Sequence, residues 1–413
     1  MVHYLDHAAT TPVRRAVVEV MTRLMCDGVG NPSGAHRLAR DANRILDEAR
    51  DQMASALGAA PGEIVFTAGG TESDNLAVFG TLEARGGRAV CTAVEHHAIL
   101  EPVESSGGQV VPVLPTGQID LDALAEALTP DVSIVSVMLA NNETGIVQPL
   151  AQVAELVRSQ APNALLHTDA VQAFSWLDVA SIGRVADLVS VSAHKFGGPQ
   201  GVGALVMRAG ANVAPRLRGG GQERGRRSGT QNVAGIAGMA VAATETVRDR
   251  PAEILRISAL RDRLADGIRE SIPGVVESGV PSEWSTDEVA RPGRGNQPDR
   301  RNKTANVCHV CFEGLESEAL LFLLERNDVL ASAAASCSSG AQEPSHVLAA
   351  MGYDRQLAFG SLRLSLGHTS TAADVDAVLN VLPEAVERLR TAELGAGMSD
   401  ISAAVAVRGS VGG

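Results

Sequence analysis

From about residue 61 onward, short apolar runs alternate with stretches that have the periodicity of amphipathic helices. Runs such as SIVSVML and DLVSVS are almost continuously apolar, which is typical of strands buried on both faces of a sheet. Seven such runs predict strands, at residues 63–67, 88–93, 109–114, 132–139, 164–168, 186–192 and 203–207. This alternation predicts an α/β fold with a mainly parallel sheet.

The pattern changes after about residue 250. A helix over residues 253–271 leads into a polar stretch, 279–303, whose Pro, Gly, Arg and Asp content predicts a surface loop. A second α/β unit follows, with strands at 305–312 and 361–366, a helix at 315–327 and a final helix to about residue 389. Because 413 residues exceed one typical core, we expect two domains.

Composition excludes several classes of protein. A net charge of −13 and a pI near 5.3 argue against a nucleic-acid surface. Five cysteines, an odd number in a long chain, do not resemble a secreted disulfide framework. The N-terminus MVHYLDHAATTP lacks the pattern of a signal peptide, and no run approaches the roughly 20 apolar residues of a membrane helix. We therefore expect a cytoplasmic protein.

Two loops after predicted strands are ambiguous by themselves. Residues 68–75, AGGTESDN, could bring backbone N–H groups to a phosphate at a helix start, or could form a turn with Thr71 as helix cap. The loop alone favours the turn. Residues 95–98, EHHA, could hold a metal, stack His96 on a cofactor ring, or cap a helix. This motif alone does not decide between them.

The strongest pair of motifs is HTDA, containing Asp169, and SAHK, containing Lys195. Both follow apolar strands, and their spacing of 26 residues fits a strand–helix–strand crossover. An aspartate there could hold a protonated pyridine nitrogen, and a lysine could form a Schiff base with an aldehyde. Those are the two groups that a pyridoxal-phosphate (PLP) enzyme needs.

A series of motifs then carries a resemblance. In chain order these are LDHAATTP, GNPSGAH, FTAGGTESDN, EHHA, NNETG, HTDAVQ, SAHKFGGPQGVGAL, GGGQERGRRSGT, a cysteine loop, EPSHVL and GSLRLSLGHTS. The series resembles the cysteine desulfurases from Tyr4 to about Leu389. The resemblance implies the aminotransferase-like fold of PLP enzymes (fold type I) and a homodimer. It also implies a large PLP-binding domain over residues 13–250, a small domain from residues 1–12 and 251–392, and a flexible tail over 393–413.

The resemblance also implies roles for individual residues. Lys195 would carry PLP and then move protons, His96 would stack on the ring, and Asn142 with Arg363 would bind the substrate carboxylate. Thr230 would reach the phosphate from the partner subunit. The full set of implied cofactor contacts is Gly70, Thr71, His96, Asn142, Asp169, Gln172, Ser192, His194, Lys195 and Thr230.

Cys337 would be the nucleophile that takes sulfur from L-cysteine as a persulfide, leaving L-alanine. It lies among small residues, ASAAASCSSG, which predict a mobile loop, although a buried thiol would fit them as well. Ala334 stands where relatives have glycine, which bears on the mobility of that loop. The motif from Cys308 to Cys311 has C-x-x-C spacing but lies inside a predicted strand with no second pair, so we expect no zinc or redox site there. Cys26 and Cys91 are expected to be buried or partly buried.

The persulfide would pass to a sulfur acceptor: an iron–sulfur scaffold, a tRNA-thiolating enzyme or another sulfur carrier. Two alternatives stay open at this point. One is another PLP reaction on the same fold, transamination or selenocysteine cleavage. The other is a catalytically silent docking protein, against which the intact set of site residues argues.

Overall fold

The computed structural model describes residues 2–28, 30–280, 299–333 and 344–409, and beyond residue 391 it describes the backbone alone. The strands are β1 His3–Tyr4, β2 Ile64–Thr67, β3 Arg88–Thr92, β4 Gln109–Val111, β5 Val132–Ser136, β6 Leu165–Asp169, β7 Leu188–Ser192, β8 Gly203–Met207, β9 Val275–Glu277, β10 Val307–Phe312, β11 Val329–Leu330 and β12 Ser361–Ser365. The helices are α1 Arg15–Asp27, α2 Arg37–Leu57, α3 Gly70–Arg85, α4 His97–Ser105, α5 Leu121–Ala127, α6 Leu150–Gln160, α7 Val179–Ile182, α8 Val233–Ser271, α9 Ser317–Glu325, α10 His346–Ala350, α11 Arg355–Phe359 and α12 Ala372–Gly409.

The predicted α/β architecture is confirmed. A seven-stranded sheet has the order β2-β8-β7-β6-β5-β3-β4, and its strands run parallel except β8, which is antiparallel to both neighbours. Along β2, Ile64 and Phe66 belong to one apolar core and Val65 to another. The sheet is therefore covered on both faces, which explains why its strands read as continuous apolar runs.

Predicted strands begin within two residues of the observed ones, but two of them end early. The run at 109–114 forms a strand only to Val111, because Pro112 has no N–H to donate to a ladder. The run at 132–139 leaves the regular strand after Ser136, yet Val137 and Leu139 still donate to the carbonyls of His167 and Asp169. The backbone beside β6 is thus held in place up to the edge where the strands end.

The prediction that a helix begins at residue 253 is wrong. Helix α8 is continuous from Val233 to Ser271 and contains Pro251 in its interior. Its first half packs against α1 and α2, and its second half packs against α12 and β10. Met239 accordingly belongs to the core of the large sheet, whereas Leu264 belongs to a second core. A single rigid element therefore connects the two parts of the molecule.

The second core surrounds a three-stranded antiparallel sheet of order β12-β10-β9, beside which β1 pairs with β11.

The final helix continues to Gly409 instead of ending near residue 389, in keeping with the high helix propensity of its alanines. Of the polar stretch 279–303, residues 281–298 lie outside the described residues. Two of its last residues are buried: Arg300 pairs with Glu277, and Lys303 lies 3.6 Å from the same carboxylate. In the described part of the chain, no helix is long and apolar enough to cross a membrane.

Candidate active site

Asp169 and Lys195 stand at the same edge of the large sheet, as their motifs predict. Asp169 is the last residue of β6, and Lys195 lies in the turn that follows the neighbouring parallel strand β7. The Asp169 carboxylate is buried, and Val171 N–H donates to its Oδ1 at 2.8 Å. Burial raises the pKa of Asp169 to about 6, an effect that the Val171 hydrogen bond and the positive charge of Lys195 oppose.

The N-terminal segment covers Lys195, a contact that the strand pattern did not predict. Lys195 Nζ donates to the carbonyl oxygens of Ala8 at 2.7 Å and Ala9 at 2.8 Å. Gln172 Nε2 also donates to Ala8 O, at 2.7 Å. The motif LDHAATTP, the first in the series that carries the resemblance, was the available signal.

The loop after β2 forms an open cavity of about 670 Å³ with the turn around His194. Gly70 and Thr71 open helix α3 there, and the first N–H groups of a helix have no partner within it. Ser192 and His194 line the opposite side. A Cβ on Gly203 would lie 2.7 Å from the backbone of Gly69, so glycine at that position permits the close approach of β8. This geometry favours the anion-binding interpretation of the loop.

One acid lines the same cavity. Glu72 lies in the first turn of α3, where its carboxylate accepts from the N–H of Ala68 at 2.7 Å. Arg227 donates to both oxygens of that carboxylate, at 2.7 Å and 3.2 Å. The charge of Glu72 is therefore compensated, and the segment containing Arg227 is tied to the loop. Nothing in the spacing of the two residues, 155 positions apart, predicts this ion pair.

One of the three predicted interpretations of His96, the helix cap, is observed. It caps helix α4 by accepting from the N–H of Ala98 at 3.1 Å, and its ring stays near Lys195. Burial chiefly, and then the charge of Lys195, lowers the pKa of His96 to about 4, so the imidazole is neutral. Its neighbour His97 packs against His346, with ring centroids 4.7 Å apart. Among the described residues, no group of three or more His, Cys, Asp or Glu side chains could hold a metal ion.

Arg363 and Asn142 come together at the boundary between the two cores. Arg363, buried in β12, donates from Nη1 to the backbone oxygen of Asn142 at 3.0 Å. Its Nη2 pairs with the carboxylate of Asp6 at 2.8 Å. The neighbouring Asn141 shapes this loop, since its side-chain oxygen accepts from the N–H groups of Glu143 and Thr144. Asp6 is a further residue of this site that the sequence alone did not single out.

Thr230 is exposed and does not line the cavity around Gly70 and Thr71 in its own chain. Cys337 lies outside the described residues, but both flanks of its segment are at the site. Ser332 exchanges backbone hydrogen bonds with Arg363, at 3.2 Å and 2.8 Å. On the other side, Ser345 Oγ donates to the Glu143 carboxylate and His346 Nε2 lies 2.9 Å from the Glu95 carbonyl oxygen.

The remaining cysteines do not form a second site. Cys308 packs into the second core with Val310, whereas Cys311 packs on the opposite face of β10 with Leu348. Burial raises the pKa of Cys308 to about 12 and that of Cys311 to about 11, so both remain thiols. Cys91 is buried, as predicted, but Cys26 is exposed on α1, which corrects that prediction.

Comparison with known proteins agrees with this geometry. Residues 3–276 match the family described as aminotransferase class-V. The chain is 44% identical over 407 residues to the IscS-like cysteine desulfurase of Mycobacterium tuberculosis (strain ATCC 25618 / H37Rv), covering 95% of this chain and 98% of that protein. It is 40% identical over 398 residues to the cysteine desulfurase IscS of Methanosarcina thermophila, covering 94% of this chain and 92% of that protein.

Solved structures resemble it over nearly the same extent. A NifS-like protein has a TM-score of 0.83 at 34% identity, covering 94% of this chain and 100% of that chain. DndA from Streptomyces lividans has a TM-score of 0.70 at 34% identity, covering 88% of this chain and 99% of that chain.

Proposed function

This chain belongs to the class V aminotransferase family and is a cysteine desulfurase, and from this premise we propose that it acts through PLP on Lys195 and a persulfide on Cys337. The observation that carries the proposal is the position of Lys195 and the buried Asp169 at the ends of adjacent parallel strands. The cavity at the helix start of Gly70 and Thr71, which is open to an anion, also includes Ser192 and His194 from the segment that leads to Lys195.

The residues around Lys195 fit the three chemical parts of PLP. Asp169 offers a buried carboxylate to the pyridine nitrogen, and His96 offers a neutral, flat ring to its face. Thr71, Ser192 and His194 would donate to the phosphate together with the backbone at Gly70, and the acid that lines this cavity is paired with its arginine partner. Bound PLP would supply an aldehyde that links to amines and a ring that withdraws electrons from the substrate α-carbon.

Lys195 is the residue proposed to remove the α-proton of L-cysteine and to return protons to the product. In this structure its Nζ donates to the carbonyl oxygens of Ala8 and Ala9, which shows that the N-terminal segment borders the position of this nitrogen. Gln172 shares one of those oxygens and would exchange it for the ring oxygen of PLP. Arg363 and Asn142 would bind the substrate carboxylate, which fixes the direction of the α-proton.

The sulfur step needs no external oxidant. The Cys337 sulfur attacks the sulfur of L-cysteine, an S–S bond forms and the C–S bond of the substrate breaks. The substrate β-carbon gains a proton and becomes the methyl group of L-alanine. Ser332, five residues before Cys337 in the sequence, exchanges backbone hydrogen bonds with Arg363, so the described start of this segment lies at the site.

The persulfide is then proposed to pass to an acceptor protein, such as an iron–sulfur scaffold or a thiolating enzyme. We also propose a homodimer, in which Thr230 completes the phosphate site of the other subunit. One observation supports it: Thr230 is exposed and lies outside the cavity of its own chain.

Mass spectrometry of the purified protein tests both covalent assignments. Borohydride reduction should fix the cofactor to the peptide containing Lys195. Brief exposure to L-cysteine should add one sulfur atom to the peptide containing Cys337. Cofactor on another lysine, or sulfur on Cys308 or Cys311, would contradict the corresponding assignment.

The variant Cys337→Ser provides the kinetic counterpart. A serine hydroxyl is almost wholly protonated near neutral pH and is a weaker nucleophile than a thiolate. The variant should bind PLP and L-cysteine with unchanged spectra yet release essentially no alanine. Cys26→Ser is the matched control, since that thiol is exposed on α1 and should be dispensable. Near-normal alanine production by Cys337→Ser would refute the proposal.

A further inference from the structure

The guanidinium group of Arg363 has one nitrogen without an acceptor. Nη1 and Nη2 are engaged by the Asn142 carbonyl and by Asp6. The third nitrogen, Nε, is buried and has no hydrogen-bond partner. A buried N–H of a charged group is costly when it is left unpaired, so an acceptor close to Arg363 Nε would stabilise this arrangement.

His309 is the residue directly across from Arg363. The two are register partners in the antiparallel pair β10 and β12, and side chains of such partners lie on the same face about 5 Å apart at Cβ. His309 is fully buried, and its Nδ1 lies 2.8 Å from Ser278 Oγ. Its Nε2 is buried and unpartnered. The two unpaired atoms therefore belong to neighbouring side chains.

The two atoms are also chemically complementary. Burial first, and then the charges of Lys303 and Arg363, lowers the pKa of His309 to about 3, so the ring is neutral. A neutral imidazole has one N–H and one lone pair. With the N–H on Nδ1, donating to Ser278, the lone pair lies on Nε2, where the positive charge of Arg363 favours it. This tautomer is inferred from the hydrogen-bond network.

We propose that His309 is a positioning residue for substrate binding: its Nε2, which is unpaired in this structure as is Arg363 Nε, becomes the acceptor for Arg363 Nε when a substrate carboxylate draws the guanidinium away from Asp6. The inference rests on the carboxylate-binding role proposed above for Arg363. An incoming carboxylate must compete with Asp6 for the same guanidinium edge. A second attachment at Nε would hold the side chain while that edge changes partners, so His309 would contribute to selectivity for substrates that carry an α-carboxylate.

The test compares L-cysteine with L-cysteine ethyl ester, which lacks the carboxylate anion, in the holoenzyme carrying His309→Leu. Loss of one hydrogen bond to a charged group should raise KM for L-cysteine about tenfold, with little change in kcat and in cofactor absorbance. Turnover of the ester should stay at the wild-type level. Calorimetry should show a matching loss of affinity for L-alanine, a readout that does not depend on turnover.

His309→Gln supplies the complementary variant, because its side-chain oxygen can replace the Nε2 lone pair and should recover most of the affinity for L-cysteine. Val310→Ala is the matched control: Val310 is equally buried on the same strand but faces the second core. It should leave the preference for cysteine over the ester unchanged.

The proposal is overturned if His309→Leu weakens both substrates equally, or if His309→Gln is no better than His309→Leu. Arg363→Leu separates this result from a failure of the proposed function. If Arg363→Leu keeps the preference for the carboxylate, the role of Arg363 is wrong. If Arg363→Leu abolishes that preference and His309→Leu does not alter it, only the role of His309 is wrong.

Discussion

At the scale of single residues, Asp169 belongs to a group of buried ionisable side chains near the strand ends. Asp74 lies 3.7 Å from His167, whose two ring nitrogens are within hydrogen-bonding distance of serine hydroxyls at 2.8 Å and 2.9 Å. Burial lowers the pKa of His167 to about 3, so that ring offers no positive charge. Burial raises the pKa of Asp74 well above its ordinary range and that of Glu95 to about 8. Negative charge is therefore concentrated on Asp169, which Lys195 stabilises.

Glu95→Gln should make stability less dependent on pH. The pKa of Glu95 in the folded protein, about 8, exceeds the ordinary value of 4.5, because of burial and to a smaller extent Asp169. Folding therefore takes up a proton between about pH 4.5 and pH 8, and wild-type stability falls as pH rises through that window. The slope from one such group is at most about 1.4 kcal/mol per pH unit.

Urea unfolding of the holoenzyme at several pH values measures this effect. The difference in free energy of unfolding, Glu95→Gln minus wild type, should become steadily more positive from pH 5 to pH 8. Glu101→Gln, an exposed change on helix α4, should run parallel to the wild type. A difference between Glu95→Gln and wild type that is constant with pH would mean that Glu95 is ionised throughout the window.

At the scale of elements, helix α8 connects the two cores because it packs into both of them. Its 39 residues include the buried Met239 in one core and the buried Ile257 in the other. Arg250, which is buried near the middle of the helix, donates to the carbonyl oxygen of Phe174 and so ties the helix to the large domain. Packing on both sides therefore outweighs the helix-breaking tendency of Pro251.

Pro251→Ala should stabilise the protein. Proline inside a helix is less favourable than alanine by about 3 kcal/mol, while the greater freedom of alanine in the unfolded chain offsets about 0.4–1 kcal/mol of that gain. Pro251 is exposed, so the change removes little packing. We expect a gain of about 2 kcal/mol in the free energy of unfolding, measured by urea titration. Ala252→Gly at the next exposed position should instead destabilise by about 1 kcal/mol. A loss of stability in Pro251→Ala would mean that the helix depends on the proline for its local geometry.

At the scale of the whole molecule, the outer face of α1 is apolar and uncovered. Val18 and Met25 are 51% and 67% exposed, and they line a cavity of about 580 Å³ together with Val13 and Pro199. Pro199 follows the turn containing Lys195, so this surface adjoins the candidate site. Exposed apolar patches of this kind commonly mark an interface between proteins. Because it adjoins the candidate site, this face is where we expect the second subunit of the proposed homodimer to pack.

Val18→Glu should therefore dissociate the proposed dimer, because it places a charge in the centre of that face. Sedimentation should show a monomer, and affinity for PLP should fall about tenfold or more, as expected when a hydrogen bond to the phosphate is lost. Leu255→Glu is the matched control, since Leu255 is 74% exposed on α8 and lies outside the α1 face. If Val18→Glu remains dimeric with full PLP occupancy, this face is not the interface.

The sequence by itself determined the layered α/β fold and the strand ends where chemistry is expected. Periodicity is a local property: a strand buried on both faces must be apolar throughout, and β2 and β8 show that pattern within one residue of their observed bounds. The relation of Asp169 to Lys195 was equally accessible, since a crossover between parallel strands returns the chain to the same edge of the sheet. Their motifs, together with the resemblance that they carry, indicated the desulfurase family.

Only the tertiary structure decided which side chains meet across long stretches of chain. Asp6 reaches Arg363 across 357 positions, and Ala8 and Ala9 reach Lys195 across 187 and 186 positions. Register between β10 and β12 likewise brings His309 beside Arg363. No local pattern encodes these contacts, because they depend on how two cores pack around one edge of a sheet. The continuity of α8 through Pro251 has the same origin, since burial on both sides overrides a local preference.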